Sequence, residues 1–350
     1  MSRYSAITGW GMHVPERILT NADLEQMVET SDEWITSRSG IKQRHIVRSD
    51  ESAFDLALPA ARQALERAGI AGKDLSLVIV ATVSYDYRFP STANLLQHAL
   101  GAQCGAFDMQ AACSGFLYAL STAHQFITSG SAKHVLVIGV EVLSKVVDYT
   151  DRGTCVLFGD GAGAVVLSAS EEPGGLLGYT LGSDGANPEL LYIPAGGSKE
   201  PLTEEGLRNG RQWVKMNGSE VFKFATRVMG TAMEEALANA GMTAHDMDLF
   251  IPHQANLRII ESASRRLGLP PEKVFVNIQK YGNTSAAAVP IALCEAIEEG
   301  RVFPGAHLGM VVFGAGLTWA AAVVKWTASL SPLENAAKIT SGTPKEAATV

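Results

Sequence analysis

Charge is scarce in this 350-residue chain: Asp, Glu, Lys and Arg make up 18% of it, and 28 basic against 36 acidic residues leave a net charge of −8. Soluble domains usually carry roughly 25% charged residues. A chain of that balance repels polyanions as a whole, which excludes nucleic acid as a general partner and confines any acidic partner to a local basic patch. Cysteine is sparse too. Cys104, Cys113, Cys155 and Cys294 stand apart, without Cys-x-x-Cys or Cys/His spacing, so neither a disulfide framework nor a zinc or other metal site is indicated. The opening residues Met1-Ser-Arg-Tyr-Ser-Ala-Ile-Thr-Gly9 lack the apolar core of a secretory signal and the Arg/Ser-rich character of a transit peptide, so they read as a first strand in a cytoplasmic protein. One stretch, residues 302–324, has no charge and the length of a membrane span. Pro304, His307, Gly305, Gly309, Gly314 and Gly316 interrupt it, which predicts two short buried strands around a glycine-rich turn and no membrane association.

What is abundant is interior. Hydrophobic residues form 47% of the chain and glycine contributes 34 positions. The length suits two domains or one large two-part body. The chain also contains itself twice: residues 64–81 align without gaps on residues 236–253 at an offset of 172, with 7 identities in 18. Each copy reads as an amphipathic helix ending at Gly69 or Gly241, a short turn carrying Asp74 or Asp246, and an apolar strand. Looser echoes pair Phe107-Asp-Met-Gln110 with Val276-Asn-Ile-Gln279, and Val135-Leu-Val-Ile-Gly139 with Met310-Val-Val-Phe-Gly314. This β-α-β-α alternation predicts an α/β protein of two pseudo-twofold halves, residues 1–172 and 173–328, each with a mostly parallel sheet, and a site at strand ends between them. Residues 329–350, polar and without period, read as a mobile tail. Pro59, inside the helical pattern 53–68, should kink that helix or mark a later start.

Three residues carry the chemistry. In Phe107-Asp-Met-Gln-Ala-Ala-Cys113-Ser-Gly-Phe, a short strand runs through small residues into an apolar helix, and a helix N-terminus would favour the Cys113 thiolate and lower its pKa. The other three cysteines read as inert buried thiols. The repeat places His253 at the end of its strand, and Asn283 lies at another junction, Lys280-Tyr-Gly-Asn-Thr-Ser-Ala. A lone His or a Gly-Asn turn is ordinarily structural; their joint placement opposite Cys113 suits hydrogen-bond donation to developing oxyanions.

At these residues the chain resembles the thiolase superfamily, and most closely its β-ketoacyl-acyl-carrier-protein synthase III family. The resemblance spans about residues 4–327. It rests on Thr30-Ser-Asp-Glu-Trp-Ile-Thr-Ser-Arg-Ser-Gly40, Ala111-Ala-Cys-Ser-Gly115, Asp151-Arg-Gly153, Phe158-Gly-Asp-Gly-Ala-Gly163, Pro252-His-Gln-Ala-Asn-Leu-Arg258, Gly282-Asn-Thr-Ser-Ala286 and Phe313-Gly-Ala-Gly316. It implies a five-layered αβαβα thiolase-like fold and a cofactor-free acyltransferase of fatty acid biosynthesis. Cys113 would take an acyl group from acyl-CoA, with its own N–H and that of Ala315 as oxyanion hole. His253 and Asn283 would stabilise the enolate formed when malonyl-acyl carrier protein loses carbon dioxide. Where the family's turn often has a central Gly, this chain has Ala315, strained if that position needs φ > 0.

Thr30 and Glu33 fit a capping box that would start a helix bearing Trp34 and Arg38 on one face, able to clasp an adenine. The resemblance adds Arg152, Gly153, Gly218, Phe222, Ala255 and Asn256 as the lining of the CoA tunnel. It makes the local basic cluster of Lys223, Arg258, Arg265 and Arg266 a dock for an acidic carrier protein, and Phe89 a residue lent to the acyl pocket of a second subunit in a homodimer. The string Gly159-Asp-Gly-Ala-Gly-Ala164 looks like a dinucleotide fingerprint, but a strand follows it, so a close-packed turn is expected. Rival readings are a papain-like Cys/His/Asn hydrolase, which leaves the repeat unexplained, a non-catalytic acyl-carrier-binding homologue, and a related condensing enzyme of polyketide or other secondary metabolism, which sequence alone does not separate.

Overall fold

The computed structural model describes residues 4–328, so the tail expected over 329–350 lies outside the described residues. In chain order the strands are β1 (Tyr4–His13), β2 (Ile18–Thr20), β3 (Gln43–His45), β4 (Leu77–Ala81), β5 (Gly105–Met109), β6 (His134–Val142), β7 (Asp160–Ser170), β8 (Gly175–Ser183), β9 (Leu191–Tyr192), β10 (Lys215–Met216), β11 (Leu249–Pro252), β12 (His307–Gly314) and β13 (Thr318–Lys325). The α-helices are α1 (Asn21–Glu25), α2 (Asp32–Ser39), α3 (Ala53–Ala68), α4 (Thr92–Ala99), α5 (Gly115–Thr128), α6 (Arg152–Cys155), α7 (Glu204–Arg208), α8 (Gly218–Asn239), α9 (Leu257–Arg266), α10 (Ile278–Tyr281) and α11 (Ala288–Glu298).

The 18-residue repeat folds into the same unit twice. Helix α3 ends at Gly69 and α8 just before Gly241, both glycines in the left-handed region that ends helices without strain. A 3₁₀ turn follows in each copy, closed by its Asp: Asp74 accepts the Ala71 N–H at 2.9 Å and Asp246 the Thr243 N–H at 2.7 Å. Strands β4 and β11 come next. Pro59 does not delay α3, which starts at Ala53 behind a Ser52 cap and runs through the proline.

The main sheet runs β11-β12-β13-β8-β1-β7-β6-β4-β5, so β1 and β4–β7 form one half and β8 and β11–β13 the other. Within the sheet the halves pair through a single parallel residue pair, Ser5 with Gly175. Strand β4 pairs in parallel with β5 and β6, and β11 with β12, because these connections pass through helices. The pairs β6–β7, β1–β7, β12–β13 and β13–β8 are antiparallel, so each half is a mixed sheet. The uncharged stretch forms the hairpin β12–β13 around Ala315 and Gly316, as its glycines predict.

Alternation along the strands explains the layers. Leu77, Ile79 and Ala81 face a central layer made by α5 and α11, while Val78 and Val80 face α3 and α4. In the other half Met310 and Val312 face the same central helices, while Val311 and Phe313 face α8 and α9. The result is five layers, αβαβα. Both faces of β4, β6, β7, β11 and β12 are covered, which is why these strands read as unbroken apolar runs.

Candidate active site

Cys113 sits in the 3₁₀ turn Ala112–Ser114 between β5 and α5, at the junction its sequence predicts. Ala112 before it is held at φ 46°, a left-handed conformation that strains a residue with a side chain. Two contacts fix this turn against the β12–β13 hairpin. A Cβ on Gly314 would lie 2.7 Å from the Cys113 nitrogen, so only glycine lets the hairpin backbone come this close. The Thr318 hydroxyl lies 3.0 Å from the carbonyls of both Ala111 and Ala315 and 3.1 Å from Ser114 Oγ, tying the two turns together. Ala315 is not among the residues of positive φ, so its side chain brings no strain of that kind. The lowered pKa expected for Cys113 is not found. Burial pushes the thiol up to about 12, with the buried Glu141 carboxyl adding to the rise and the Ser285 hydroxyl opposing it.

His253 follows β11 and is buried, its N–H donating to the Val311 carbonyl at 2.7 Å and its ring edge-on to Phe313 at 5.4 Å. Among the described residues neither ring nitrogen has a hydrogen-bond partner. Burial lowers its pKa to about 3, so at neutral pH the ring is uncharged, with one N–H to donate. Gln254 beside it donates to the Pro252 and Phe275 carbonyls and accepts from the Asn277 and Ile278 amides, joining the His253 loop to the segment that leads to Asn283.

Asn283 is pinned by its backbone, donating to Leu157 O at 2.8 Å and accepting from Gly159 N–H at 3.1 Å. Its Oδ1 accepts the Ser285 N–H at 2.9 Å, which leaves Nδ2 as the donating end of the amide. The following loop packs on both Gly115 and Gly139; a Cβ on Gly139 would lie 2.2 Å from Ala286 O. The structure thus brings together what the sequence separates. Gly314 lies against Cys113, the neighbouring Phe313 against His253, and the Asn283 loop against Gly115 of the nucleophile helix.

Glu141, Ser285, Thr318 and Gln254 were not picked out by sequence. Ser285 lay inside the Gly-Asn-Thr-Ser-Ala string, and Glu141 is the lone acid in the apolar run of β6, a signal for a buried charge. The remaining cysteines sit in apolar surroundings, and burial raises all three thiols, Cys294 to about 12 and Cys155 to about 11.

The residues expected around CoA are spread over or just before α2, α6, α8 and α9. Trp34 on α2 has the Arg38 guanidinium 5.3 Å and the Arg152 guanidinium 4.9 Å from its ring, so Arg152 as well as Arg38 flanks the indole. The capping box expected from Thr30 and Glu33 is absent. Ser31 is the N-cap, accepting the Trp34 N–H at 3.1 Å, because it directly precedes the first helical residue; the Thr30 hydroxyl is buried without a partner among the described residues. Gly153 lies in α6 and Gly218 opens α8, both exposed, and Ala255 is buried beside His253. Asn256 caps α9 through Oδ1 and donates from Nδ2 to Arg38 O at 2.9 Å, so it clamps α2 onto α9.

The basic cluster divides. Arg258 stacks on Phe222 at 5.1 Å and lines a groove of about 340 Å³ with Thr226, Glu261, Ser262 and Arg265, Glu261 lying 3.7 Å from the Arg265 guanidinium, while Lys223 pairs with Glu220 at 2.7 Å. Arg266 turns away into a two-pronged pair with Glu234 of α8 at 2.8 and 2.9 Å, because one helical step beyond Arg265 rotates it off that face. Phe89 is 86% exposed, beside exposed Tyr85 and Tyr87. The fingerprint-like string enters β7 with no helix after it, as expected.

With this geometry in place, comparison with known proteins is informative. Residues 107–185 match the family described as 3-Oxoacyl-[acyl-carrier-protein (ACP)] synthase III, and residues 237–326 match its C-terminal model. A β-ketoacyl-[acyl-carrier-protein] synthase III from Roseiflexus sp. (strain RS-1) is 52% identical over 329 residues, 94% of this chain and all of the relative. The protein of that name from Natranaerobius thermophilus is 54% identical over 91% of this chain and 98% of its own length. The crystal structure of 3-oxoacyl-[acyl-carrier-protein] synthase III from Aquifex aeolicus superposes with a TM-score of 0.84 at 48% identity, covering 92% of this chain and all of that one. Matched almost end to end at about half identity, and built on the same fold, this chain belongs to the β-ketoacyl-acyl-carrier-protein synthase III family.

Proposed function

We propose that the chain condenses an acyl-CoA primer with malonyl-acyl carrier protein, the initiating step of fatty acid biosynthesis, through an acyl-cysteine. Cys113 attacks the thioester carbonyl and CoA leaves; the N–H groups of Cys113 and Ala315, brought close by Gly314, stabilise the oxyanion. Malonyl-carrier then occupies the site. Loss of carbon dioxide leaves an enolate oxygen that accepts hydrogen bonds from the neutral His253 ring and Asn283 Nδ2, and its carbon attacks the acyl-cysteine. The observation that carries this reading is the buried His253, uncharged and with both ring nitrogens unpartnered among the described residues, joined to the nucleophile turn through Phe313 and Gly314. A neutral donor suits an enolate: it stabilises the new charge without being a strong acid that would quench the carbanion. Decarboxylation supplies that carbanion, so the reaction calls for no metal or redox cofactor.

The placement of Trp34, Arg38 and Arg152 supports adenine binding, with Thr30, Gly153, Gly218, Phe222, Ala255 and Asn256 along the route inward. The Arg258–Arg265 groove, with Lys223, supports docking of an acidic carrier in a chain of net charge −8. The solvent-facing Phe89 supports a homodimer in which a second copy covers it, and the family assignment supports a cytoplasmic enzyme. Relatives half identical over nearly the whole chain favour this reading over secondary metabolism.

The test is to incubate the protein with acyl-CoAs from acetyl to long and branched chains and read intact mass and the modified peptide. Acylation of Cys113, discharged by malonyl-carrier as a β-ketoacyl product, is the expected result. Hydrolysis to free acid without carbon–carbon bond formation would overturn it.

A further inference from the structure

Glu141 is the one charged side chain of β6 that is wholly buried, and the reaction scheme above leaves it without a task. It shares a face of β6 with Gly139, and both meet the turn that follows Asn283. Gly139 does so by leaving room, since a Cβ there would fall 2.2 Å from Ala286 O; Glu141 does so by bonding, its Oε1 accepting from Ser285 Oγ at 3.1 Å. The carboxylate also grips the segment between β4 and α4, accepting from Ser84 Oγ at 2.5 Å and from the Val83 N–H at 3.3 Å. Burying a carboxyl is costly unless hydrogen bonds replace its water. Ser285, the partner nearest the chemistry, is held at φ 50°, a left-handed conformation that a residue with a side chain keeps only when its surroundings impose it. Its own N–H donates to Asn283 Oδ1 at 2.9 Å. A backbone N–H can only donate, so this bond decides which end of the Asn283 amide faces Ser285 and leaves Nδ2 as the end offered to an enolate.

We propose that Glu141 is a positioning residue for the enolate step: through the Ser285 hydroxyl it fixes the turn whose N–H orients the Asn283 amide. The path is two hydrogen bonds long, Ser285 Oγ to Glu141 Oε1 and Ser285 N to Asn283 Oδ1, and Glu141 itself touches no substrate. Were the turn to relax out of φ 50°, the Ser285 N–H would swing off Oδ1 and free the amide to rotate. A rotated amide presents its oxygen to the enolate oxygen, so a donor is lost and a repulsion replaces it. The link does not depend on charge. A hydroxyl donates to a carboxylate and accepts from a carboxylic acid or an amide, so the bond to Ser285 survives protonation of Glu141 and its replacement by Gln, but not its removal. The nucleophile is held by other means: Gly314 lets the β12–β13 hairpin approach Cys113, and the Thr318 hydroxyl bonds the Ala111 carbonyl and Ser114 Oγ. Acylation therefore leans on that hairpin, and decarboxylation leans on Glu141.

The inference rests on Asn283 donating to the enolate as proposed above, and the test reads the two half-reactions apart. Burst release of CoA measures acylation of Cys113, and carbon dioxide release from malonyl-acyl carrier protein measures decarboxylation. Glu141→Ala should slow decarboxylation by more than about tenfold, as misplacement of a reacting group does, while acylation stays within about threefold of wild type. Glu141→Gln, able to bridge the same hydroxyls, should recover most of that loss. In an Asn283→Ala background, Glu141→Ala should cost decarboxylation nothing further, because a residue that acts only through Asn283 has nothing left to act on, whereas a general structural defect adds its own loss. Ser285→Ala, which keeps the backbone N–H and cuts the link to Glu141, should show the same selective loss, and it decides the matter if Glu141→Ala does not fold. Unchanged decarboxylation in the Ala variants, equal losses in both half-reactions, a further loss on top of Asn283→Ala, or no recovery with Gln would each overturn the positioning role. A wild-type protein that takes no acyl group would instead sink the proposed acylation and leave the decarboxylation comparison standing, and Asn283→Ala decarboxylating at full rate would sink both.

Discussion

Glu141 should also write its burial into the pH dependence of stability. Its carboxyl titrates at an ordinary 4.5 when unfolded and at about 7 in the folded protein, because burial disfavours the charged form. A folded value raised in this way means stability is fully present below pH 4.5 and is lost as pH rises through about 7, since the folded state holds the proton longer. The gap between 4.5 and about 7, at about 1.36 kcal/mol per pH unit, gives about 3 kcal/mol. Glu141→Gln has no proton to lose. The stability difference between variant and wild type should therefore shift by about 3 kcal/mol in favour of the variant between pH 4.5 and pH 8. Constant effects of the amide on local hydrogen bonds cancel in that comparison. So does the opposite slope from His253, whose lowered value makes it destabilising as pH falls below 6.5. Urea denaturation of both proteins at fixed protein concentration, at half-unit pH steps, measures it. A difference that stays flat from pH 4.5 to 8 would refute a protonated, desolvated Glu141 near neutrality.

Other perturbations separate the parts of the site. His253→Ala and Asn283→Ala should each still acquire an acyl mass on Cys113 but lose decarboxylation of malonyl-carrier by about a hundredfold to a thousandfold, the scale for one oxyanion donor; unchanged condensation would remove that residue from the enolate site. Gly314→Ala places a Cβ 2.7 Å from the Cys113 nitrogen, and a shift of the hairpin should slow acylation by more than tenfold in a burst assay of CoA release. Ile79→Ala, in the fully buried face of β4 against α5, should destabilise by about 2–5 kcal/mol in chemical denaturation. Per molecule still folded, its acylation rate should stay near wild type.

Much of the site was legible because the fold repeats itself. The helix–turn–strand unit recurs at an offset of 172, so a residue at the end of β11 had to stand at a sheet edge comparable to the end of β4, and that placed His253. Cys113 was marked by small residues before an apolar helix, and Asn283 by its junction. What sequence mispredicted was electrostatic. The helix start promised a lowered thiol pKa, but desolvation outweighs the local dipole once β12, β13 and the Asn283 loop close over Cys113, and no local window contains that burial. The Thr30 cap failed for a smaller reason, since Ser31 next to it offered the same hydroxyl one residue nearer the helix. Arg266 looked equivalent to Arg265 in sequence and was captured by Glu234, 32 residues away on α8.

The sequence by itself determined the layered α/β architecture, through strand runs apolar on both faces and helices apolar on one, and it determined which side chains could do chemistry. Tertiary structure decided what those side chains are. Whether a thiol, an imidazole or a carboxyl is charged depends on how much water the surrounding layers exclude and on which hydrogen bonds reach it. The Ser285–Glu141 hydrogen bond joins residues 144 positions apart. Hydrogen bonds of that span arise only when the two halves close on each other, because the energy of a buried charge is a property of its packed surroundings rather than of its neighbours along the chain.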